Sequence, residues 1–401
     1  MWKCLFALIV ISVMGCEKLG NAGGGGDAGE QSNDWEDLTF ELVSRQARQW
    51  DSLLVHSQGD IYLVESGMSD LVPWGPVGLV SRVSPYGNLE DQATIDPGSP
   101  LHVHDIAEHP DSGLVLVGTR DYGGYTSAYV ARVSFKSRGS VTWSQEFGTG
   151  ESHEDSAFLG LVGVPDGYHL FGYGGANYGD HVAFRTFVDT SGAGGEFTLE
   201  FERSEGDSSE FVTGASLPDG DVLIVGSYGD FEEIDWLWNG HVLLIRGDEV
   251  RYRKLKDSSE LTGGGSGHGR LYVYGHVRTD ESTYASDVYL AELDKSDLRV
   301  VWQKQLDYLH EDYIVAGDVS SNGEIVLAWR AFERNVRTTW IGKYDQEGNE
   351  QWKRSFVNRE IRDVAFAKNG EHIFACGLAA PEKDGQDLHG WLIKLDEDGV
   401  L

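Results

Sequence analysis

The sequence predicts an all-β fold in which a unit of about 50 residues is repeated seven times. Each unit contains an apolar run, a glycine turn and a second apolar run. The turn glycines are 47 to 54 residues apart: Gly59, Gly113, Gly167, Gly220, Gly269, Gly323 and Gly370. Seven turns at so regular a spacing indicate an internal repeat.

Each unit provides four short strands rich in β-branched and aromatic residues. Third strands alternate with period two, as in AYVARVS and HVLLIRG. They carry one basic residue that we expect to face outward: Arg82, Arg132, Arg185, Arg246, Lys343 and Lys394, with Glu292 as the exception. Fourth strands carry Trp143, Trp302 and Trp352. Four antiparallel strands per unit at this period are typical of a blade, so the sequence predicts a seven-bladed β-propeller.

The last unit ends at Leu401 after only three strands, whereas residues 37–43 (DLTFELV) form an extra strand before the first unit. Unpaired sheet edges favour aggregation, and pairing removes them. We therefore expect residues 37–43 to become the fourth strand of the seventh blade and to close the ring.

The segments WLIKLDEDG, WIGKYDQEGNEQW and LPDGDVLIVGSYGD resemble the bacterial secreted beta-propeller repeat. The resemblance covers nearly all of residues 37–401 and implies a propeller fold and export rather than a particular chemistry. The spacing Asp345-x-x-Gly348-x-x-x-Trp352 is also similar to the docking repeat of quinone-type propellers. The Thr-Gly pair of that repeat is absent, which argues against a pyrroloquinoline quinone site.

The first 16 residues, MWKCLFALIVISVMGC, combine Lys3 with an apolar run too short for a comfortable membrane span. Their end resembles the bacterial lipobox, which implies cleavage before Cys16 and lipidation of its thiol. The expected organisation is a signal peptide (1–15), a lipidated Cys16 with a flexible Gly-rich linker (16–35) and the propeller (36–401). An ordinary signal peptide with a coincidental Cys, or an uncleaved anchor, is the alternative.

The lipobox resemblance makes the bilayer a partner through a diacylglyceryl Cys. Glu17 follows Cys16 in place of the Asp associated with inner-membrane retention, which favours the outer membrane. Only Cys376 would then remain as a free thiol, and its apolar neighbours predict that it is buried. The 65 Asp and Glu residues outnumber 32 Lys and Arg, a formal net charge of −33 that argues against binding nucleic acid.

Long connections between second and third strands lie on one face of a propeller, together with the blade-to-blade connections. This face is rich in aromatic residues, which binding surfaces use. The candidate binding residues are Trp74, Tyr122, Tyr125, Tyr178, Trp236, Trp238 and Tyr284. Packing between blades is the alternative interpretation of these aromatics.

Pairs of His and acid occur where the chain enters three blades, and we expect them at the mouth of the central channel. They are His104 and Asp105, His153 and Asp155, and His310 and Asp312. Such groups can bind a metal ion, but capping and turn hydrogen bonds explain them better. The acidic loop 230–235 can hold Ca²⁺, although solvation is the better interpretation, so no cofactor is expected.

No catalytic motif has the required context: Gly264-Gly265-Ser266-Gly267 lies in a hairpin, and no metalloprotease, Walker or dinucleotide motif occurs. The sequence therefore favours a non-catalytic, lipid-anchored envelope propeller that binds a protein or glycan partner through its long-loop face. The alternatives are a propeller-type glycan hydrolase or lyase with carboxylates at the channel mouth, and an outer-membrane assembly scaffold.

Overall fold

The structure is a computed structural model that describes most of the chain from Phe40 to Leu401. Outside the described part lie residues 1–39, 48–50, 57–58, 66–77, 96–99, 124, 136–139, 149–154, 176–180, 196–197, 200–206, 231–237, 256–259, 280–285, 309–310, 334–335 and 380–388. The described residues form 28 strands and no α-helix.

Seven four-stranded antiparallel sheets form the blades of a propeller, as predicted. The first strand of the described chain is β1 (Phe40–Ala47). Blade 1 consists of β2 (Ser52–Val55), β3 (Ile61–Glu65), β4 (Gly78–Val83) and β5 (Leu89–Ile95). Blade 2 consists of β6 (Leu101–His109), β7 (Gly113–Asp121), β8 (Thr126–Ser134) and β9 (Ser140–Phe147). Blade 3 consists of β10 (Asp155–Val164), β11 (Gly167–Gly175), β12 (Val182–Asp189) and β13 (Thr198–Leu199).

The remaining blades repeat this order from the innermost strand outward. Blade 4 consists of β14 (Asp207–Ser216), β15 (Val222–Asp230), β16 (Trp238–Arg246) and β17 (Glu249–Lys254). Blade 5 consists of β18 (Glu260–Gly267), β19 (Arg270–Arg278), β20 (Ser286–Leu293) and β21 (Val300–Leu306). Blade 6 consists of β22 (Glu311–Val319), β23 (Ile325–Glu333), β24 (Val336–Tyr344) and β25 (Glu350–Phe356). Blade 7 consists of β26 (Arg359–Phe366), β27 (His372–Ala379), β28 (His389–Asp396) and the first strand, β1.

The ring closes through the strand predicted to close it. Strand β1 pairs antiparallel with β28, with Phe40 opposite Lys394 and Val43 opposite Trp391. The pairing continues to Ala47 after a change of register, so the strand extends beyond the predicted end at Val43. Blade 7 therefore joins both ends of the described chain.

A β-bulge in the innermost strand explains the glycine that lies within the second strand in five blades. At Gly226, an added Cβ would lie 1.9 Å from the carbonyl oxygen of Glu210 on β14. Gly275 faces the carbonyl of Glu260 on β18 in the same way, also at 1.9 Å. The equivalent glycines are Gly118, Gly172 and Gly377. Only glycine lets the second strand approach the bulge this closely.

Four basic residues of the third strands form ion pairs within their own blades: Arg82, Arg132, Arg246 and Lys343. Lys343 lies 3.0 Å from Glu324 in the first turn of blade 6, and Arg246 lies 2.9 Å from Asp221. Glu292, the exception in blade 5, lies 3.3 Å from Arg270 on the neighbouring strand, so the charges are exchanged. The expected outward orientation is wrong for Lys343 and Lys394, which are only 4% and 2% exposed because their blades pack around their aliphatic chains.

The fourth-strand tryptophans pack against a turn of the next blade. The indole of Trp302 in blade 5 lies under Gly348, and that of Trp352 in blade 6 lies under Gly399. An added Cβ at either glycine would lie 2.7 to 2.9 Å from the ring, and both glycines have positive φ. Asp345 holds the first of these turns by accepting the N–H groups of Glu347 and Asn349. The Asp-x-x-Gly and Trp pattern is therefore an inter-blade packing device. The one thiol in the described chain, Cys376, takes part in no disulfide and is buried, as predicted.

Candidate functional site

The two faces of the propeller carry different connections. Antiparallel pairing places the turns after first and third strands on one face, which we call the first-turn face. The connections after second and fourth strands lie on the opposite, long-loop face. Each innermost strand runs from the long-loop face to the first-turn face, so its first residues mark the long-loop mouth of the channel.

Two of the predicted binding residues form one exposed aromatic pair on the long-loop face. The rings of Tyr122 and Tyr125, in the connection between β7 and β8, stack with centroids 5.0 Å apart and an interplanar angle of 13°. Each is 40% exposed. The amide of Tyr122 donates to the carbonyl of Tyr125, which closes the loop.

Charged groups hold the Tyr122 ring in place. Its hydroxyl donates to the carboxylate of Glu146 on β9 and accepts a hydrogen bond from Arg120 at 3.1 Å. Arg120 also pairs with Glu146, and its guanidinium lies 5.8 Å from the Tyr122 centroid. An exposed ring with a fixed orientation is ready for stacking by a ligand at little cost in entropy.

The other predicted binding residues give no side-chain geometry. Trp74, Tyr178, Trp236 and Tyr284 lie outside the described residues, as do Cys16, His153 and His310. Trp238 begins β16, and only its backbone is described, paired with Gly229.

The predicted channel-mouth residues that are described make hydrogen bonds to their own and neighbouring blades. His104 is the bulge residue of β6, and its Nε2 lies 2.9 Å from Thr119 Oγ1. Its ring keeps an exposed surface at the channel while protein surrounds most of it. This desolvation, together with nearby His102, lowers the pKa of His104 to about 4. The imidazole is therefore neutral at physiological pH.

Asp155 and Asp312 accept hydrogen bonds from the protein backbone. Asp155 Oδ1 accepts the N–H of Thr126 at 2.7 Å, which ties blade 3 to blade 2. Asp312 is completely buried, and its Oδ2 accepts the N–H of Tyr308 at 2.9 Å. Oxygen atoms of Asp312, Asp287 and Asp307 lie within 4.8 Å of one another and can supply ligands to a hard cation.

Asp105 lies deeper than the mouth and belongs to a set of three half-buried aspartates on innermost strands. Its Oδ1 accepts the N–H of Ile106 and its Oδ2 accepts that of Leu161 in blade 3, at 2.8 and 3.0 Å. Desolvation, assisted by the charge of Asp363, raises the pKa of Asp105 to about 7. Asp318 and Asp363 have pKa values raised to about 6, chiefly by desolvation.

Sequence reasoning missed two glutamates at equivalent positions in blades 4 and 5. Glu210 and Glu260 each lie two residues before the bulge of their innermost strand, near the long-loop mouth. Burial, and then the charge of Glu260, raise the pKa of Glu210 to about 7. His276 Nε2 lies 3.1 Å from Glu260 Oε2. The sequence signal that could have identified these glutamates is the pair of glycines Gly226 and Gly275, because each glycine faces the backbone carbonyl of one of them.

The equivalent position in blade 7 carries an acid bound to two cations. Glu360 Oε1 lies 2.8 Å from Arg330 Nη2 on β23 and 2.8 Å from Arg362 Nη2 on β26. The long-loop mouth therefore presents carboxylates in different environments on adjacent or nearby blades. The pKa of Glu210 is raised to about 7, Glu260 pairs with a histidine, and Glu360 pairs with two arginines.

Comparisons with known proteins support the fold. No protein-family model and no curated protein matches the chain. The Dos1 propeller is similar over 88% of this chain and 78% of its own length, with 11% identity and a TM-score of 0.52. The Kuenenia stuttgartiensis hydrazine synthase structure is similar over 83% and 94%, with 11% identity and a TM-score of 0.55. Drosophila Plexin A in complex with Semaphorin 1b is similar over 89% and 86%, with 12% identity and a TM-score of 0.50.

These identities are low, so the likeness shows the propeller fold alone. Across the described part of the chain, no helix has both the length and the apolar character needed to span a bilayer.

Proposed function

We propose that this chain is a lipid-anchored bacterial envelope propeller that binds a protein or glycan partner through its long-loop face. The observation that carries the proposal is the stacked and exposed pair of Tyr122 and Tyr125. The lipobox resemblance supports an anchor at Cys16, and the linker of residues 16–35 would hold the ring close to the outer membrane. The charge of −33 opposes direct contact with anionic lipid, so the anchor supplies the membrane affinity.

The chemistry of the pair suits a ligand with a flat, partly apolar surface. Aromatic rings offer a large contact area with little loss of side-chain entropy. Polar groups beside the rings can then select the ligand by hydrogen bonding. Arg120 and Glu146 stand beside the Tyr122 hydroxyl and can donate to or accept from a polar ligand. Sugar rings and peptide segments both meet this description.

The test is recovery of partners from envelope extract by the wild-type protein and a Tyr122→Ala/Tyr125→Ala variant. We expect the variant to lose most of the bound material. The matched control is Tyr86→Ala, because Tyr86 is 51% exposed but lies in the turn between β4 and β5 on the first-turn face. Protease treatment of the extract beforehand distinguishes a glycan from a protein partner. Equal recovery by the double variant and the control would remove this face from the proposal.

A propeller-type glycan hydrolase or lyase is the second candidate, and Glu210 is the observation that favours it. A general acid works best when its pKa lies near the working pH, and the pKa of Glu210 is raised to about 7. Glycosidases place a second carboxylate nearby, and Glu260 is close enough for its charge to act on Glu210.

Turnover of envelope glycans tests this candidate. Catalysis through Glu210 would give a rate that declines above about pH 7 and is lost in Glu210→Gln. Partner capture through the tyrosine pair would survive that substitution. A Glu210→Gln variant that retains full turnover would eliminate the candidate.

A further inference from the structure

A cavity of about 580 Å³ lies at the end of the channel opposite the proposed binding face. It is bounded by the ends of the innermost strands of blades 1 to 4 and by the first turn of blade 7. Its apolar wall is formed by Leu54, Ile106, Ala107, Val164 and Pro165. Cavities of this size are typical of sites for small organic ligands.

Hydrogen bonds fix the polar wall of the cavity. His109 is buried; its Nδ1 accepts the N–H of Asp111 at 3.1 Å, and its Nε2 donates to the carbonyl of Thr190 at 3.2 Å. Tyr168 is also buried, and its hydroxyl donates to the carbonyl of Glu108 at 3.3 Å. Both nitrogens of His109 are thus engaged, which favours an organic ligand over a metal ion bound at this imidazole. The wall is held in shape before any ligand arrives.

Two opposite charges meet in the lining of this cavity. Lys368, in the first turn of blade 7, lies with its Nζ 2.8 Å from Glu108 Oε1 in blade 2. The pair crosses the end of blade 1 and joins residues 260 positions apart. The side chains are 56% and 27% exposed, respectively, so water weakens their attraction and the pair can open at small cost.

We propose that this cavity binds an α-amino acid with a large apolar side chain. The ligand's ammonium group would pair with Glu108 and its carboxylate with Lys368. Each protein charge would therefore exchange one partner for another, with no change in net charge. The side chain would lie against the apolar wall formed by Leu54, Ile106 and Val164. This site is independent of the proposed function, because it lies on the other face.

The adjacency of the two charges is what selects this class of ligand. A purely anionic ligand would separate Glu108 from Lys368 and supply no cation in return, and a purely cationic one would supply no anion to Lys368. In an α-amino acid the two charges are separated by a single carbon, which matches a protein pair in direct contact. The apolar wall adds selectivity for a large side chain over glycine or alanine.

Calorimetric titration of the full chain with L-tryptophan, N-acetyl-L-tryptophan and L-tryptophanamide tests the proposal. The three probes share one side chain, but the two derivatives each lack one charge. We expect L-tryptophan to bind and each derivative to bind about tenfold more weakly, as the loss of one charge-assisted hydrogen bond implies. Glycine, which keeps both charges but has no side chain, should show no binding.

Glu108→Gln and Lys368→Gln should each weaken L-tryptophan binding by about tenfold. Lys353→Gln is the matched control, because Lys353 forms an ion pair with Glu350 on an outer strand, at 3.3 Å. Equal affinity for the three tryptophan probes would overturn the proposed charge recognition. Absence of L-tryptophan binding at millimolar concentration, in a protein whose thermal transition is intact, would overturn the site itself.

Discussion

Neighbouring blades are joined near the channel in two different ways. At the junctions of blades 2 with 3 and 7 with 1, an aspartate follows the bulge of the innermost strand. Asp363 Oδ1 accepts the N–H of Val364, and its Oδ2 accepts the N–H of Leu53 in blade 1, both at 2.8 Å. Ser52 also donates to Asp363 Oδ2, at 3.1 Å. We call this arrangement the aspartate clasp.

At the junctions of blades 3 with 4 and 5 with 6, the position after the bulge is glycine, and an aromatic ring makes the connection. Tyr274 on β19 lies over Gly263 of its own blade and reaches Gly317 of blade 6. Its hydroxyl donates to the Gly317 carbonyl. Phe171 lies between Gly160 and Gly214 in the same manner. We call this arrangement the aromatic bridge.

The difference shows that the residue after the bulge and the residue opposite it on the second strand must fit one another in size. Asp363 stands opposite Cys376, and Asp105 opposite Val117, so a small partner leaves space for the carboxylate. Gly263 stands opposite Tyr274, so the missing side chain leaves space for the ring. A clasp satisfies buried N–H groups with a carboxylate, whereas a bridge buries apolar area and requires no ionisable group.

Removal of residues 36–45 should have the largest effect on the ring. The deletion removes most of β1, leaves the edge of β28 unpaired and weakens the blade that carries the Asp363 clasp. We expect loss of cooperative thermal unfolding or a fall in Tm of about 10 °C or more, consistent with losing several kcal/mol in a chain of this length. A deletion of residues 17–30 in the linker is the control. An unchanged transition in the first deletion would show that closure contributes little.

Gly263→Ala should break an aromatic bridge. The added Cβ would lie 2.0 Å from Cε2 of Tyr274, so the ring or the strand must shift. Overpacking of this kind costs about 1–3 kcal/mol. Urea unfolding measures the loss, and Gly163→Ala on β10 is the control because its nearest neighbour would be 3.6 Å away.

The coupling between the two positions gives a sharper result. In a Tyr274→Leu background the same Gly263→Ala change should cost much less, because the ring that it strikes is gone. An equal loss of stability in the two backgrounds would mean that the backbone requires glycine at this position and that the packing of the Tyr274 ring does not.

The blade number, the closing strand and the formation of one blade by each repeat could be predicted from the sequence, because these features depend on period and alternation within one unit. The sequence did not predict the clasps and bridges, because they depend on which residue follows a bulge and on register between strands of different blades. Glu210 and Glu260 were missed for the same reason. Nothing in the local pattern of either glutamate distinguishes it from the other acids of a chain with 65 of them. Tyr122 and Tyr125 were found because they lie in one connection, three residues apart.

The two junction types should also respond differently to pH, because the clasps contain carboxyl groups, whereas burial holds the pKa of the Tyr274 phenol in the bridge well above its ordinary value. Asp318 of blade 6 holds blade 7 in a similar way, since its Oδ2 accepts the N–H of Phe366 at 2.8 Å. The pKa of Asp105 is raised from its ordinary 3.8 to about 7, and those of Asp318 and Asp363 to about 6. Between about pH 4 and pH 7 the folded chain therefore holds protons that the unfolded chain has released. This contribution to stability is fully present below about pH 4 and is lost as pH rises through the folded pKa values, by at most ~1.4 kcal/mol per pH unit for each group.

Urea unfolding at pH 5 and pH 8 checks this expectation, with the wild type more stable at pH 5. Asp105→Asn removes one titrating group and should reduce the difference between the two pH values, even if the substitution lowers stability at both. Asp155→Asn is the control for the loss of a carboxylate that accepts a backbone N–H across a blade junction. Because Asp363 contributes to the raised pKa of Asp105, Asp363→Asn should move the remaining titration to lower pH. A pH dependence that is the same in all three variants would place its origin outside the clasps.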